Sequence, residues 1–383
     1  MSHSPAVRYL RDYVAIPSIN PMGRADIDAA LTGEERYARC VQEQLKALGV
    51  DGVVVGSGTR RSVVGEVRRA GLSETVLVAS HLDTVPVDNM AIDPFDPALR
   101  DGRLFGRGSC DTKAGMAALM AALERVLARG SLARNLVLVG EADEESSGSV
   151  GVDDVLAHLG GSRIDWAIAT EPTELRLVNA HKGTAVVRVE ARGHACHSSD
   201  PTRGRNAIVL LAQAIQALER LGAELGLKVH PGLGPATLSI GLVGGGQAPN
   251  IVPDRAWLAM DRRTLPGDTS ESLGAEIERA LSAAGITEVK LADVRIGKEP
   301  LFTEPAQLAV QRCQRALERA GCNPEPCSVA FGTDAGQLAQ AGIPSVVLGP
   351  GSIRRAHTES EYVELDQLER MVGVFEQILE GEC

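Results

Sequence analysis

Short, unbroken apolar runs punctuate the first half of the chain, and amphipathic stretches lie between them. "GVVVG" (52–56), "SVVGEV" (62–67), "TVLVAS" (75–80), "LVLVG" (136–140) and "WAIAT" (166–170) lack the polar–apolar alternation of a half-exposed strand. Such a run reads as a strand buried on both faces, as in a parallel or mixed sheet covered by helices. Helices are expected at about 4–15 and 33–48. In "AGMAALMAALERVLA" (114–128), Met116, Leu119, Met120, Leu123, Val126 and Leu127 fall on one helical face.

The rhythm changes from about 181 to 296. "TAVVRVEAR" alternates, and "AIVLLAQAIQALERL" carries a stripe of Ile208, Leu211, Ile215 and Leu218. "TLSIGLV", "AWLAMDRR" and "EVKLADVRI" read as further strands, and "ESLGAEIERALSAAG" as a helix. The order β-α-β-β-α-β is that of a ferredoxin-like unit. The α/β rhythm then resumes with the helix "PAQLAVQRCQRALERAG", the strand "IPSVVLG" (343–349) and the helix "LDQLERMVGVFEQILEG". The pattern predicts an α/β domain, with a mostly parallel mixed sheet covered by helices, in two parts at 1–180 and 297–383. Residues 181–296 would form an inserted ferredoxin-like α+β domain.

A length of 383 residues exceeds one ordinary core and agrees with two domains. The net charge of -11 argues against a nucleic-acid binder, which needs a basic footprint. With no long apolar run, no membrane span is expected. The N-terminal segment mixes charges into its apolar positions and reads as a surface helix, not a signal peptide. Seven cysteines without a C-x-x-C pair read as reduced thiols of a cytoplasmic chain, with neither a disulfide framework nor a thiolate zinc site.

The apolar runs gain chemical meaning from the residues at their exits. His81 and Asp83 come after "TVLVAS", Glu144 and Glu145 after "LVLVGEAD", Glu171 after "WAIAT", and His357 after "SVVLGPGSIRRA". Asp111 stands at the entry to the 114–128 helix. An isolated H-x-D is ordinarily a loop histidine and a turn or cap, and Asp111 alone would serve as a helix N-cap. In an open α/β sheet, however, ligands bind outside the carboxyl ends of the strands. Two histidines and five carboxylates pooled there cannot all be ionised without a cation. The nitrogen and oxygen donors suit zinc or a similar first-row metal. They are too many for one catalytic metal with an open position, and suit two metals sharing a carboxylate. Asp83 can accept the second ring N–H of His81. Neighbouring Glu144 and Glu145 point in different directions on an extended loop, so one can bind metal while the other acts as base toward a water.

At these residues the chain resembles the metallopeptidase family that includes acetylornithine deacetylase, succinyl-diaminopimelate desuccinylase, aminoacylase-1-type enzymes and carboxypeptidase G. The resemblance covers essentially the whole chain through "SHLDTVPV", "GRGSCDTKAGMAA", "ADEESSG", "TEPTEL", "HKG", "GHACHSSDPTRGRNAI", "MDRRTLPG", "GTDAG" and "GPGSIRRAHTESEYVEL", in order. "TEPTEL", "HKG", "HSSDPTRGRNAI" and "GPGSIRRAHTESEYVEL" most resemble acetylornithine deacetylase. The resemblance implies a dizinc amidohydrolase (Co2+ or Mn2+ being alternatives) acting on a small N-acyl amino acid. His81 and Glu171 would hold one zinc, Glu145 and His357 the other, with Asp111 bridging them. Asp83 would orient His81, Glu144 would be the general base, and the Asp111–Thr112 peptide would be cis.

Further expectations concern substrate and assembly. Asn250 in "QAPNIVPD" and Arg263 in "MDRRT" stand where relatives carry substrate-binding residues and would recognise the substrate's α-carboxylate. Thr333, Gly351 and Ser352 would also line the substrate site. His197 lies in a polar, turn-forming stretch after the first inserted strand. The resemblance implies that the inserted domain serves as a lid and as the dimerisation domain of a homodimer, and that His197 reaches across it to donate a hydrogen bond to the tetrahedral oxyanion.

Overall fold

The computed structural model describes residues 4–146 and 150–381. The chain divides into two compact units. One comprises residues up to Ala180, Thr303–Ser328 and the chain from Thr333 onward. The other comprises His181–Phe302 and Val329–Gly332.

The first unit is built on a mixed sheet with strand order Gly52–Ser57, Arg60–Val67, Asn135–Glu141, Thr75–His81, Trp166–Ala169, Ser345–Val347, Val178–His181. The four strands from 135–141 to 345–347 are parallel, and antiparallel partners flank them. Alternate residues of the 75–81 strand feed two different cores. Val76 and Val78 pack in a core with residues of helices Pro5–Val14, Lys113–Arg129, Leu308–Arg319 and Leu365–Glu380. Leu77 and Ala79 pack with Val152, Val155 and Leu159 of helix Val150–Leu159, and with Leu338. A strand covered on both faces has no polar side, which is why its sequence is unbroken.

Helix Lys113–Arg129 departs from the expected single stripe. Every residue from Lys113 to Leu123 is buried, while Leu127 is only partly so. A helix apolar on all sides is one enclosed by other elements. Gly115 makes that enclosure possible, since a Cβ there would collide with the Thr170 side chain.

The second unit has an antiparallel sheet in the order Thr237–Gly245, Arg255–Thr264, Gly183–Arg192, Val289–Lys298. With helices Ala207–Gly226 and Ser270–Ala283 this is the ferredoxin-like arrangement. Its core takes Val187 and Val189 from the first strand, and Leu210, Leu211, Ala214, Leu218 and Leu221 from the longer helix. Ile208, expected in that stripe, is 46% exposed because the buried face turns toward Leu210 and Ala214. The second unit extends to Phe302, beyond the expected limit of 296, because its last strand continues to Lys298.

Candidate metal centre

Parallel strands deliver their carboxyl ends to one edge of the first unit's sheet. His81 is the last residue of its strand, the turn bearing Glu144 and Glu145 follows 135–141, and Glu171 follows 166–169. A loop after 345–347 carries His357, and Asp111 precedes helix 113–129.

Asp111 stands at the middle of this group. Its Oδ1 lies 3.0 Å from His81 Nε2, and its Oδ2 lies 3.3 Å from His357 Nε2. His357 Nε2 is also 3.2 Å from the Glu145 carboxylate. Donor atoms of His81, Asp111 and Glu145 all lie within 4.8 Å of one another. The capping role considered for Asp111 is not seen. Thr112 occupies the N-cap position without a side-chain cap bond, and both Asp111 oxygens face imidazoles. The Asp111–Thr112 peptide is cis. Glu171 is buried, and its charge acts on His81.

The electrostatics describe a set of groups that needs positive charge. Burial opposes a charge on His81, yet Asp111, Asp83 and Glu171 lift its pKa well above the ordinary imidazole range. Hydrogen bonds to Asp111 and Glu145 raise His357 to about 10. Burial, with the nearby charge of Asp111, pushes Glu145 up to about 7 against the hydrogen bond from His357. Asp111 is drawn well below the usual carboxylate range by the two histidines despite its burial. Close imidazole–carboxylate contacts thus lie between the donors, where a divalent cation would sit. Neutral imidazoles and ionised carboxylates are the donor types that hold zinc and similar metals, so the set fits a metal.

Asp83 does more than was expected of it. The His81 Nδ1 lies 3.0 Å from the Asp83 carbonyl oxygen and 3.5 Å from its carboxylate, so the main chain fixes the ring. The carboxylate instead accepts from the main-chain N–H groups of Glu144 (3.1 Å) and Glu145 (3.0 Å). Fully buried, it is held down at about 2, burial being outweighed by His81, Asn20 and the Glu145 N–H.

Sequence reasoning overlooked a further buried carboxylate, Glu361. Glu361 accepts from the N–H groups of Cys110 (3.0 Å) and Asp111 (3.1 Å) and pairs with fully enclosed Arg107 at 2.7 Å. Arg107 also donates to Asn89 Oδ1 at 3.1 Å, and Asn89 donates to the His357 carbonyl at 3.0 Å. His357 has a left-handed backbone (φ +61°), a conformation costly for a side-chain-bearing residue and here tied down by that bond. Lys113 is buried too. Its ammonium donates to the carbonyls of Tyr13 and Ile16 beside the Tyr37 ring, and burial draws its pKa down to about 7.

The remaining expected residues have these surroundings, each within its own unit. Thr333 is fully buried, and its hydroxyl accepts from the Ala335 N–H. Gly351 donates its N–H to Gln367 and has φ +92°; a Cβ there would meet the Cys110 sulfur at 2.6 Å. The Ser352 carbonyl accepts from Cys110 Sγ, and its hydroxyl bonds Glu174. In the second unit, exposed His197 bridges to Ile251, and Ser198 N–H donates to the Asn250 carbonyl, so His197 and Asn250 lie on paired segments. Arg263 is half-buried, with its Nε 2.9 Å from Asp261.

Residues 77–381 carry the sequence profile of Peptidase family M20/M25/M40. The chain belongs to this family. An acetylornithine deacetylase of Myxococcus xanthus is 31% identical over 376 residues, covering 94% of this chain and 90% of the relative. A succinyl-diaminopimelate desuccinylase of Acidovorax ebreus (strain TPSY) is 29% identical over 392 residues, 98% of each. An M20 family metallo-carboxypeptidase from Sulfolobus solfataricus superposes with a TM-score of 0.79 at 21% identity, with 99% of both chains covered. A dinuclear metal binding peptidase from Bacillus subtilis does so at 0.71 and 14%, covering 98% of this chain and 96% of the other. At those identities the structural likeness is one of fold. M20 membership makes the chain a metal-dependent hydrolase of amide bonds. Among the described residues no helix is long and apolar enough to cross a membrane, and the six cysteines are free thiols.

Proposed function

We propose that this M20 hydrolase is a dizinc enzyme that removes the acyl group from an N-acylated amino acid, N-acetylornithine being the best single substrate. The supporting observation is Asp111, whose two oxygens each face a different histidine. His81 and Glu171 would hold one zinc, Glu145 and His357 the other, with Asp111 between them; Co2+ or Mn2+ would suit the same donors. When bound, the metals polarise the scissile carbonyl and lower the pKa of water. Glu144 takes the proton of the attacking water and returns it to the leaving amine nitrogen. Asn250 and Arg263 bind the α-carboxylate, and Thr333, Gly351 and Ser352 line the rest of the substrate site.

A cytoplasmic homodimer formed through the second unit completes the reading, with His197 of one copy serving the site of the other. Strand Gly183–Arg192, the expected pairing edge, lies inside its sheet; strand Thr237–Gly245 is an edge instead and leaves Leu242 and Val243 62% and 66% exposed, as an unpaired edge available for association would. Two other substrates fit the same chemistry, a succinylated diamino acid and a small peptide. The full-length similarity to a desuccinylase favours the former. A metal-free binding protein on this fold would have lost Glu144 or a ligand, and all are present.

The deciding experiment is kcat/KM of the zinc-loaded protein on N-acetylornithine, succinyl-diaminopimelate, other acetyl-amino acids and dipeptides. N-acetylornithine should rank first. A preference for dipeptides would replace the deacylase reading by a peptidase one. Metal content well under one equivalent per chain, with no turnover, would favour the binding protein.

A further inference from the structure

Asn20 lies in a loop between helices 5–14 and 35–47, in a stretch with no metal-ligand or catalytic pattern. It is fully buried, and all four hydrogen-bonding positions of its amide are used. Nδ2 donates to Asp83 Oδ2 (2.8 Å) and Asp143 Oδ1 (3.0 Å). Oδ1 accepts from Arg60 Nη2 (2.8 Å) and the Met22 N–H (3.0 Å). Arg60 is itself held by buried Glu34 at 2.5 Å and reaches Asp143 at 3.3 Å. The amide is therefore a neutral donor placed between two carboxylates that would otherwise face each other.

Both carboxylates control one turn. Asp83 accepts from the N–H groups of Glu144 and Glu145. Asp143 directly precedes them, in a left-handed conformation (φ +66°), and accepts from the Ser146 hydroxyl. Rotation of the Asp83 carboxylate would swing the peptide planes from which the two glutamate side chains leave. We propose that Asn20 is a positioning residue that fixes the Asp83 and Asp143 carboxylates and so sets the direction of Glu144 and Glu145. The proposal rests on the reading of Glu144 as base and Glu145 as ligand. Aspartate in its place would have the same shape but no N–H to donate, and alanine would leave Asp83 and Asp143 facing each other.

A control is available in the same loop. Ser18 is equally buried, and its hydroxyl donates to the Leu82 carbonyl at 2.6 Å without touching either carboxylate. Asn20→Ala, Asn20→Asp and Ser18→Ala would be compared for thermal unfolding, cobalt(II) titration of the metal-free protein, and kcat and KM on N-acetylornithine. Loss of a group that orients metal ligands typically costs about 10–100-fold in metal affinity or activity. Both Asn20 variants should weaken at least one cobalt equivalent by that factor and lower kcat similarly, with KM little changed. Ser18→Ala should lose thermal stability yet keep cobalt affinity and kcat. If Asn20→Ala fails to fold, the isosteric Asn20→Asp carries the comparison. Equal cobalt affinity in the Asn20 and Ser18 variants, whether kept or lost in both, would overturn the proposal. The cobalt arm needs no substrate, so an enzyme that ignores every acylated amino acid would fail the functional reading and still decide Asn20.

Discussion

Glu144 and Glu145 share a turn and one anchoring carboxylate, Glu145 lies 3.2 Å from His357, and Glu144 is the proposed base. Glu144→Gln is therefore expected to keep full metal content while kcat falls by about 10²–10⁴-fold, the usual worth of a general base. Metal analysis beside steady-state kinetics checks this, and near-normal turnover would mean another group moves the proton. Proton competition gives a second expectation. Glu145, near 7, and His357, near 10, hold protons in the metal-free protein that must leave before either can be a ligand. Zinc affinity should accordingly rise from about pH 6 to about pH 10, with protons released on binding. Calorimetry in buffers of different ionisation enthalpy measures that release, and a flat affinity would show ligands already deprotonated. The gathering of His81, Asp111, Glu145 and His357 in one place was legible in the sequence because each follows an apolar run or stands at the entry to a helix. Asn20 and Glu361 were not. Their roles lie in hydrogen bonds to main-chain and side-chain groups far along the chain, such as the Arg107–Glu361 pair 254 residues apart, and no local pattern encodes that.

Elements whose environment is set by periodicity were read well, and those enclosed by tertiary packing less so. The continuous strands were recognisable because both their faces are covered. Helix 113–129 was expected to bury one face, but the neighbouring helices close over the rest. The loop 106–112 shows what holds such an enclosed element in register. Glu361 anchors its N–H groups at Cys110 and Asp111 while neutralised by Arg107. Removing one partner of a buried pair typically costs about 3–5 kcal/mol, so Glu361→Ala should lose about that much in denaturant unfolding. Adding Arg107→Met should restore part of the stability by removing the stranded charge. It should not restore metal affinity, because the two N–H groups still lack their acceptor. Full affinity in the double variant would assign Glu361 to folding alone.

For the molecule as a whole, the two-unit plan was visible in the change of rhythm near 181, while the return boundary was placed early. The segment Val329–Gly332 also belongs to the second unit, which no periodicity could show. Assembly can be tested by mixing. If His197 acts across a homodimer, subunit exchange between inactive His197→Ala and Glu144→Gln chains should restore up to about half the wild-type activity per mixed dimer, as one intact donor set requires. Verified mixed dimers without activity would confine His197 to its own chain or to no role. Strand Ser345–Val347, finally, lies between 166–169 and 178–181, and it arrives almost half the chain later. As the polypeptide leaves the ribosome, the sheet is left with an open slot until this strand emerges. His357 comes a few residues behind it. The donor proposed in this loop would therefore be in place only after the late strand has joined the sheet.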